Sequence, residues 1–216
     1  MTEHLPVRRS YDRLAPTYDS RWRKYIDATL ALAIEPLELT GDERVLDVAC
    51  GTGELERRLF ERWPALGVTG VDVSPNMLRH AAEKRTPASL LATEAHRLPF
   101  DEASFDAVIC ANAFHYFRQP DKSLAEMRRV LRPEGRLVLV DWCDDYLSCK
   151  LCSFWLHWAD PAFHRTYTKR ACRRMVEQSG FVVEAAFHRR IDWLWGLMCV
   201  IAVPAGDVAA LQARRK

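Results

Sequence analysis

At 216 residues, 49% of them hydrophobic, the chain can bury one substantial core, and its length predicts a single domain over 1–216. A net charge of only +2, with basic residues scattered in pairs such as Arg57-Arg58, Arg128-Arg129 and Arg189-Arg190, argues against a nucleic-acid track. The cysteines, 7 in all, follow no framework spacing and predict reduced thiols in a cytoplasmic protein. The first ten residues are charged and hold no apolar h-region, so no signal peptide is expected, and the longest uncharged run, Trp193 to Gly206, is too short to span a bilayer.

Taken in order, Thr2 to Arg9 should fray, since burial there cannot offset the ordering entropy. Tyr11 to Trp22 is aromatic and charged and broken at Pro16, with Tyr11, Leu14 and Tyr18 spaced for one helical face. Tyr25 to Leu39 reads as an amphipathic helix with Ile26, Leu30, Ala33, Ile34 and Leu37 inward. Val45 to Val48 reads as a buried strand whose one acid is Asp47; the run breaks at Gly51 and Gly53 and resumes at helical spacing from Glu54 to Phe60. Glycines at such a turn let backbone N–H groups approach a ligand. Gly67 to Asp72 is a second buried strand, and an acid about 20 residues beyond the glycine turn is placed to accept both hydroxyls of a ribose. Phosphate is the obvious competitor, but the P-loop and Gly-x-Gly-x-x-Gly spacings are missing, and Glu54 and Glu56 would repel it. A cationic sulfonium suits the place better.

Farther on, Ser74 is an N-cap and Pro75 a first-turn proline for a helix running through Met77 to about Arg85. Ala88 to Ala92 and Phe105 to Ala111 are the third and fourth strands. By the switch-point rule Asn112 to Phe117 borders the reaction centre. His115 there is either a base or a structural histidine bonded to a carbonyl. Asp121 caps a helix over 122–131, and Arg132 to Gly135 turns into the fifth strand, Arg136 to Trp142. Asp141 to Tyr167 carries Trp142, Tyr146, Phe154, Trp155, Trp158, Phe163 and Tyr167, too much apolar area for an exposed loop. It should fold back as a helical cap over the strand ends and form a substrate chamber, with dimerisation as the competing use. Cys149-x-x-Cys152 stands without a second ligand pair, so no metal site is expected. Thr168 caps the last helix, Gly180 ends it, and Phe181 to Ala186 and Leu197 to Val203 are two final strands.

Asp47-x-Ala-Cys-Gly-Thr-Gly53 followed by Val71-Asp72 resembles the glycine-rich and ribose-binding motifs of class I S-adenosylmethionine (SAM)-dependent methyltransferases. Thr93 to Phe100 and Leu124 to Val140 resemble the small-molecule branch that includes the ubiquinone and menaquinone biosynthesis enzymes. The likeness covers about Tyr11 to Trp142 and Lys169 to Val183. Ala49 stands where the family often has glycine, and Glu94 where it has Asp.

The resemblance implies a doubly wound α/β fold: a mostly parallel, seven-stranded Rossmann-like sheet with an antiparallel last strand, here with the aromatic helical cap (141–167) and N-terminal cover helices (1–40). It implies SAM as cofactor, held by Tyr11, Tyr18, Asp47, Ala49, Gly51, Gly53, Asp72, Val73, Met77, Glu94, Ala95 and Asn112. Tyr18 and His115 are the catalytic candidates. The implied reaction is in-line methyl transfer to a small or lipid-like acceptor, with no nucleic-acid partner, no integral membrane segment and a homodimer as the oligomer to look for. The alternative is a SAM-binding regulatory or scaffold protein without transfer activity.

Overall fold

The computed structural model describes residues 5–160, 162–193 and 195–206. The apolar runs pair into one seven-stranded sheet. β1 (Arg44–Val48), β2 (Gly67–Asp72), β3 (Ser89–Ala92), β4 (Phe105–Ala111) and β5 (Leu131–Trp142) are parallel, and β7 (Gly196–Pro204) is antiparallel to both β5 and the edge strand β6 (Phe181–Arg190). The order β3-β2-β1-β4-β5-β7-β6 reverses direction between β1 and β4, which opens a crevice at their carboxyl ends.

Both faces of the sheet are buried, because adjacent residues of each central strand serve opposite cores. Leu46, Val108 and Leu137 face Leu124 and Met127 of α5 (Pro120–Val130) and Cys172 and Val176 of α7 (Lys169–Gln178). Val45, Ala107 and Val138 face Ile26 and Leu30 of α2 (Tyr18–Ile34) and Leu55 and Leu59 of α3 (Glu54–Arg62). The Ser74 hydroxyl accepts the Met77 N–H to cap α4 (Pro75–Glu83), and Thr168 caps α7 through the Ala171 N–H. Gly180 closes α7 at φ 84°.

Several boundaries differ from the sequence reading. Residues 5–9 do not fray but open a helix, α1 (Leu5–Leu14), in which Val7 is buried; Thr2 to His4 lie outside the described residues. Pro16 sits in a 3₁₀ turn, Ala15–Thr17, so α2 starts at Tyr18 rather than Tyr25 and ends at Ile34, followed by a second 3₁₀ turn. Asp121 lies inside the first turn of α5 rather than capping it, because Pro120 already supplies the first helical position. Arg132 to Gly135 is a bulge within β5: pairing jumps from Phe105↔Leu131 to Ala107↔Arg136, and the Arg132 guanidinium bonds Asp106.

The glycine turn also spaces the helices. At Gly53, φ 75°, a Cβ would meet the Ala81 Cβ of α4 at 2.8 Å. Gly53→Ala should therefore lower stability by about 2 kcal/mol or more, through left-handed strain and overpacking together. Urea unfolding reads it, and an unchanged midpoint would mean that α3 and α4 separate without cost.

Candidate functional site

Asp72 ends β2 and joins three loops. Its carboxylate accepts the Gly51 N–H at 2.9 Å and the Ser74 N–H at 2.8 Å, while its carbonyl accepts the Thr93 N–H at 3.0 Å. Each carboxylate oxygen keeps a second lone pair. The turn above β1 is held by Cys50 N–H donating to the Val71 carbonyl and passes through three left-handed residues: Ala49 at φ 64°, Gly51 at 56° and Gly53 at 75°. Alanine at the first of these carries steric strain that the glycines do not.

Above these turns lies a cleft of about 830 Å³ open to solvent on one side. Tyr11, Tyr18, Ala49, Gly51, Asp72, Val73, Met77, Glu94, Ala95 and Asn112 all line it, so the structure brings together ten of the residues expected from the sequence. Asp47 and Gly53 do not reach its wall: Asp47 is buried beneath the turn and Gly53 begins α3. His115 also stands outside the wall. Its Nδ1 lies 2.8 Å from Oδ1 of buried Asp141, its backbone N–H donates to the same carboxylate, and Tyr116 stacks on its ring at 4.1 Å. Tyr116 of that loop lines the cleft, edge-on to Tyr11 at 5.3 Å. The sequence reading placed the loop Asn112 to Phe117 at the reaction centre but singled out His115 rather than Tyr116 or Phe117, and it missed Arg118 and Gln119, which also line the cleft.

The cover is pinned by the aspartates that follow its tyrosines. Asp12 accepts the Ser74 hydroxyl at 2.6 Å and the Asn76 N–H at 3.2 Å. Asp19 accepts the Thr52 hydroxyl and the Lys84 ammonium, and Lys84 also donates to the Thr52 carbonyl. In this way the two Tyr-Asp pairs set the rings over the cleft and fasten the backbone to both ligand-facing turns. Burial raises Tyr11 and Tyr18 above the ordinary phenol range, with Tyr116 adding to both, so the phenols stay neutral.

Beneath the turn the electrostatics are unusual. Asp47, Glu56 and Asp72 are all buried. Desolvation raises all three, and mutual repulsion adds to it. Glu56 is pushed up to about 7, chiefly by burial, with Lys84 only partly opposing it. Its oxygens lack a well-formed hydrogen bond among the described residues, although the Cys50 thiol comes near. Gly70 leaves them room: a Cβ there would meet Glu56 Oε1 at 2.2 Å. Such a cluster favours a cationic guest over an anionic one.

The aromatic insert departs from expectation. It does form a helix, α6 (Leu147–Ala159), but no described residue of 142–167 lines this cleft. Trp142, Phe163 and Tyr167 are buried in the cores, whereas Phe154, Trp155 and Trp158 point outward. Its apolar area pointed to a packed helix but not to which of its two apolar faces the sheet would take.

Residues 46–139 match a family model described as a methyltransferase domain, a span that holds Asp47, the glycine turn, Asp72 and the cleft-lining residues from Ala49 to Ser123 but not Tyr11 or Tyr18. The matched span is less than half of the chain. Around this domain the chain is 37% identical over 144 residues to the demethylmenaquinone methyltransferase of Thermotoga maritima (62% of this chain, 60% of that one). It is 40% identical over 151 residues to that of Deinococcus radiodurans (63% and 60%). The chain thus spans about 60% of the length of these relatives. Among solved structures, the methyltransferase of Haloferax volcanii in complex with the Trm112 methyltransferase activator superposes with a TM-score of 0.81 at 21% identity, covering 93% of this chain and 98% of that one. The [4+2]-cyclase SpnF superposes at 0.77 and 20% identity (93% and 96%), so the methyltransferase fold by itself does not name the reaction.

Two predictions belong to the turn. A carboxyl whose folded pKa is raised stabilises the fold while protonated, so that contribution is present below about pH 4.5 and lost as pH rises through about 7. Glu56→Gln should therefore gain roughly 2–3 kcal/mol over the wild type at pH 8 and little at pH 4.5; parallel stability curves for the two proteins would rule the buried acid out as the cause. Ala49→Gly should raise stability by about 0.5–1 kcal/mol, relief of left-handed strain exceeding the added chain entropy. A lowered melting temperature would contradict this.

Proposed function

We propose that the chain transfers the methyl group of SAM to a small or lipid-like acceptor, in line, in the cleft beneath the tyrosine cover. The observation that carries this reading is the buried carboxylate group, Asp47, Glu56 and Asp72, under a glycine turn whose backbone faces the cleft. A sulfonium and an ammonium relieve that charge, whereas a pyrophosphate would aggravate it. Asp72 has lone pairs left for a ribose diol, Met77 offers a flat apolar wall to the adenine, and Glu94 and Ala95 lie at the cleft edge where its amine would sit. The bound cofactor supplies an already activated methyl group.

The work left to the chain is positioning. Tyr11, Tyr18 and Tyr116 exclude water and hold the acceptor within the ~3–3.5 Å from which attack proceeds. Tyr18, neutral and facing the cleft, is the proposed contact to the reacting atoms. His115 is oriented by Asp141 and backs Tyr116, so we assign it to positioning rather than to removing the acceptor's proton. The curated relatives that act on quinone precursors favour an apolar acceptor for this chain as well. None of the seven cysteines is in a disulfide among the described residues, and no helix among them is long and apolar enough to cross a membrane; cytoplasmic residence is the compartment we propose.

Incubating a metabolite extract with the protein and methyl-labelled SAM, then finding the labelled product by mass spectrometry, tests the reaction. SAM binding without any labelled product would favour the scaffold alternative. Asp72→Ala should weaken SAM by about 2 kcal/mol or more, taking charge-assisted bonds at ~1.5–3 kcal/mol each; an unchanged dissociation constant would place the ribose elsewhere. His115→Asn should cost thermal stability and keep the single-turnover rate within about tenfold of wild type. A loss of about 10²-fold at unchanged SAM affinity would make it the base instead.

A further inference from the structure

The loop from Thr93 to Ser104, between β3 and β4, holds no helix or strand, and its first residues, Thr93, Glu94, Ala95 and His96, line the cleft. Where Glu94 stands depends on how that loop is tied. Its start is held by the Asp72 carbonyl, which accepts the Thr93 N–H. Farther along, two charged side chains of α5 take over. Glu126 accepts the Leu98 N–H at 2.8 Å, and Arg129 donates to the carbonyls of Leu98, at 2.8 Å, and Phe100, at 2.6 Å. The guanidinium also donates to Glu126 itself, at 2.7 and 2.9 Å, so carboxylate and fork act as one unit. The backbone of the same turn of α5 adds two ties, the Arg129 carbonyl to the Ala103 N–H and the Val130 carbonyl to the Ser104 N–H.

We propose that Glu126 and Arg129 are positioning residues for base recognition: they fix the loop whose Glu94 and Ala95 meet the adenine amine, and so set the preference of the cleft for adenine over hypoxanthine. The inference rests on the SAM reading of the cleft. Neither side chain lines the cleft, so both act through the loop. Packing alone already keeps the loop on the protein, since the Leu98 side chain is buried in the core and the Phe100 ring lies edge-on to Phe105 at 5.1 Å. Apolar contacts are non-directional, however, whereas the bonds to Leu98 and Phe100 fix the height and direction of the backbone just past His96. Glu94 needs such a base. A glutamate has more rotameric freedom than the aspartate it replaces, so its carboxylate meets an amine reproducibly only from a rigid backbone. His96 Nε2, 3.4 Å from Glu94 Oε2, comes from the same short stretch and moves with it. Arg129 holds the Glu126 carboxyl below the usual carboxylate range against the effect of burial, so the tie stays charged at neutral pH. A carboxylate accepts the amine of adenine but repels the carbonyl of hypoxanthine, and the size of that difference depends on where the carboxylate is held.

Isothermal titration of the full chain with SAM and with S-inosyl-L-methionine, in which a carbonyl replaces the amine, tests the proposal. Wild type should bind SAM at least about tenfold more tightly than the oxo compound. Arg129→Ala should weaken SAM by about tenfold and bring the two affinities within about threefold of each other. Glu126→Gln, which keeps shape and packing, should shift the preference the same way but less. Asp72→Ala, by contrast, should weaken both compounds alike, since both carry the ribose. Arg129→Ala and Glu126→Gln proteins that lose stability or affinity yet keep the wild-type preference would overturn the positioning role and leave the pair as plain scaffold. Wild type that binds SAM without preferring it would refute the adenine placement, and wild type that binds neither compound would refute the proposed function; either result removes the ground of the proposal.

Discussion

The carboxylate of Asp72 is the joint on which the site depends. One side chain at the end of one strand accepts backbone N–H groups from the glycine turn after β1 and from the first residues of the turn into α4, and its own carbonyl takes the first residue after β3. These bonds cross the crevice where the strand order reverses, so the turns that would hold a nucleoside are held to one another before any ligand arrives. Backbone donors stabilise the charged form of Asp72, yet burial beside Asp12, Asp47 and Glu56 raises it overall. The site is therefore preorganised geometrically and left electrostatically incomplete, a state that a cationic ligand completes.

The cover obeys the same economy. Each tyrosine that faces the cleft is followed by an aspartate that ties the segment down, Asp12 to the start of α4 and Asp19 to Thr52 and Lys84. Aromatic area over the ligand and polar anchors to the scaffold come from adjacent residues. The hinge between the two pairs is a 3₁₀ turn around Pro16, whose missing N–H and fixed φ end one helix and allow the next. The aromatic wall over the cleft and its anchors thus come from a single eight-residue stretch, 11 to 18, together with Asp19.

Much of this was legible because it is local. A glycine needing positive φ, an acid at a strand end, Ser74 ahead of Pro75 and the helical spacing of Tyr11 and Tyr18 each carry their reason within a few residues, and ten of the expected cofactor residues do meet at one cleft. What failed was what depends on distant partners. Val7 makes α1 worth forming only because α4 lies under it, which no reading of residues 2 to 9 alone could supply. The bulge at Arg132 to Gly135 exists because β4 continues pairing at Phe105 on the far side of it. His115 has the chemistry that draws attention, but Asp141, twenty-six positions away, turns it from the cleft and leaves Tyr116 in its place. In α6 both faces are apolar, so the sequence could not say which one the sheet would cover.

The claim that the buried acids select a cationic cofactor is tested most directly by calorimetry of SAM binding in buffers of different ionisation enthalpy, repeated across pH. Binding at mildly acidic pH should release protons, since the guest's positive charge lowers the raised carboxyls, and affinity should fall as pH drops through about 7, where Glu56 takes up its proton. SAM that bound with no proton exchange and with the same affinity on both sides of that pH would contradict the account.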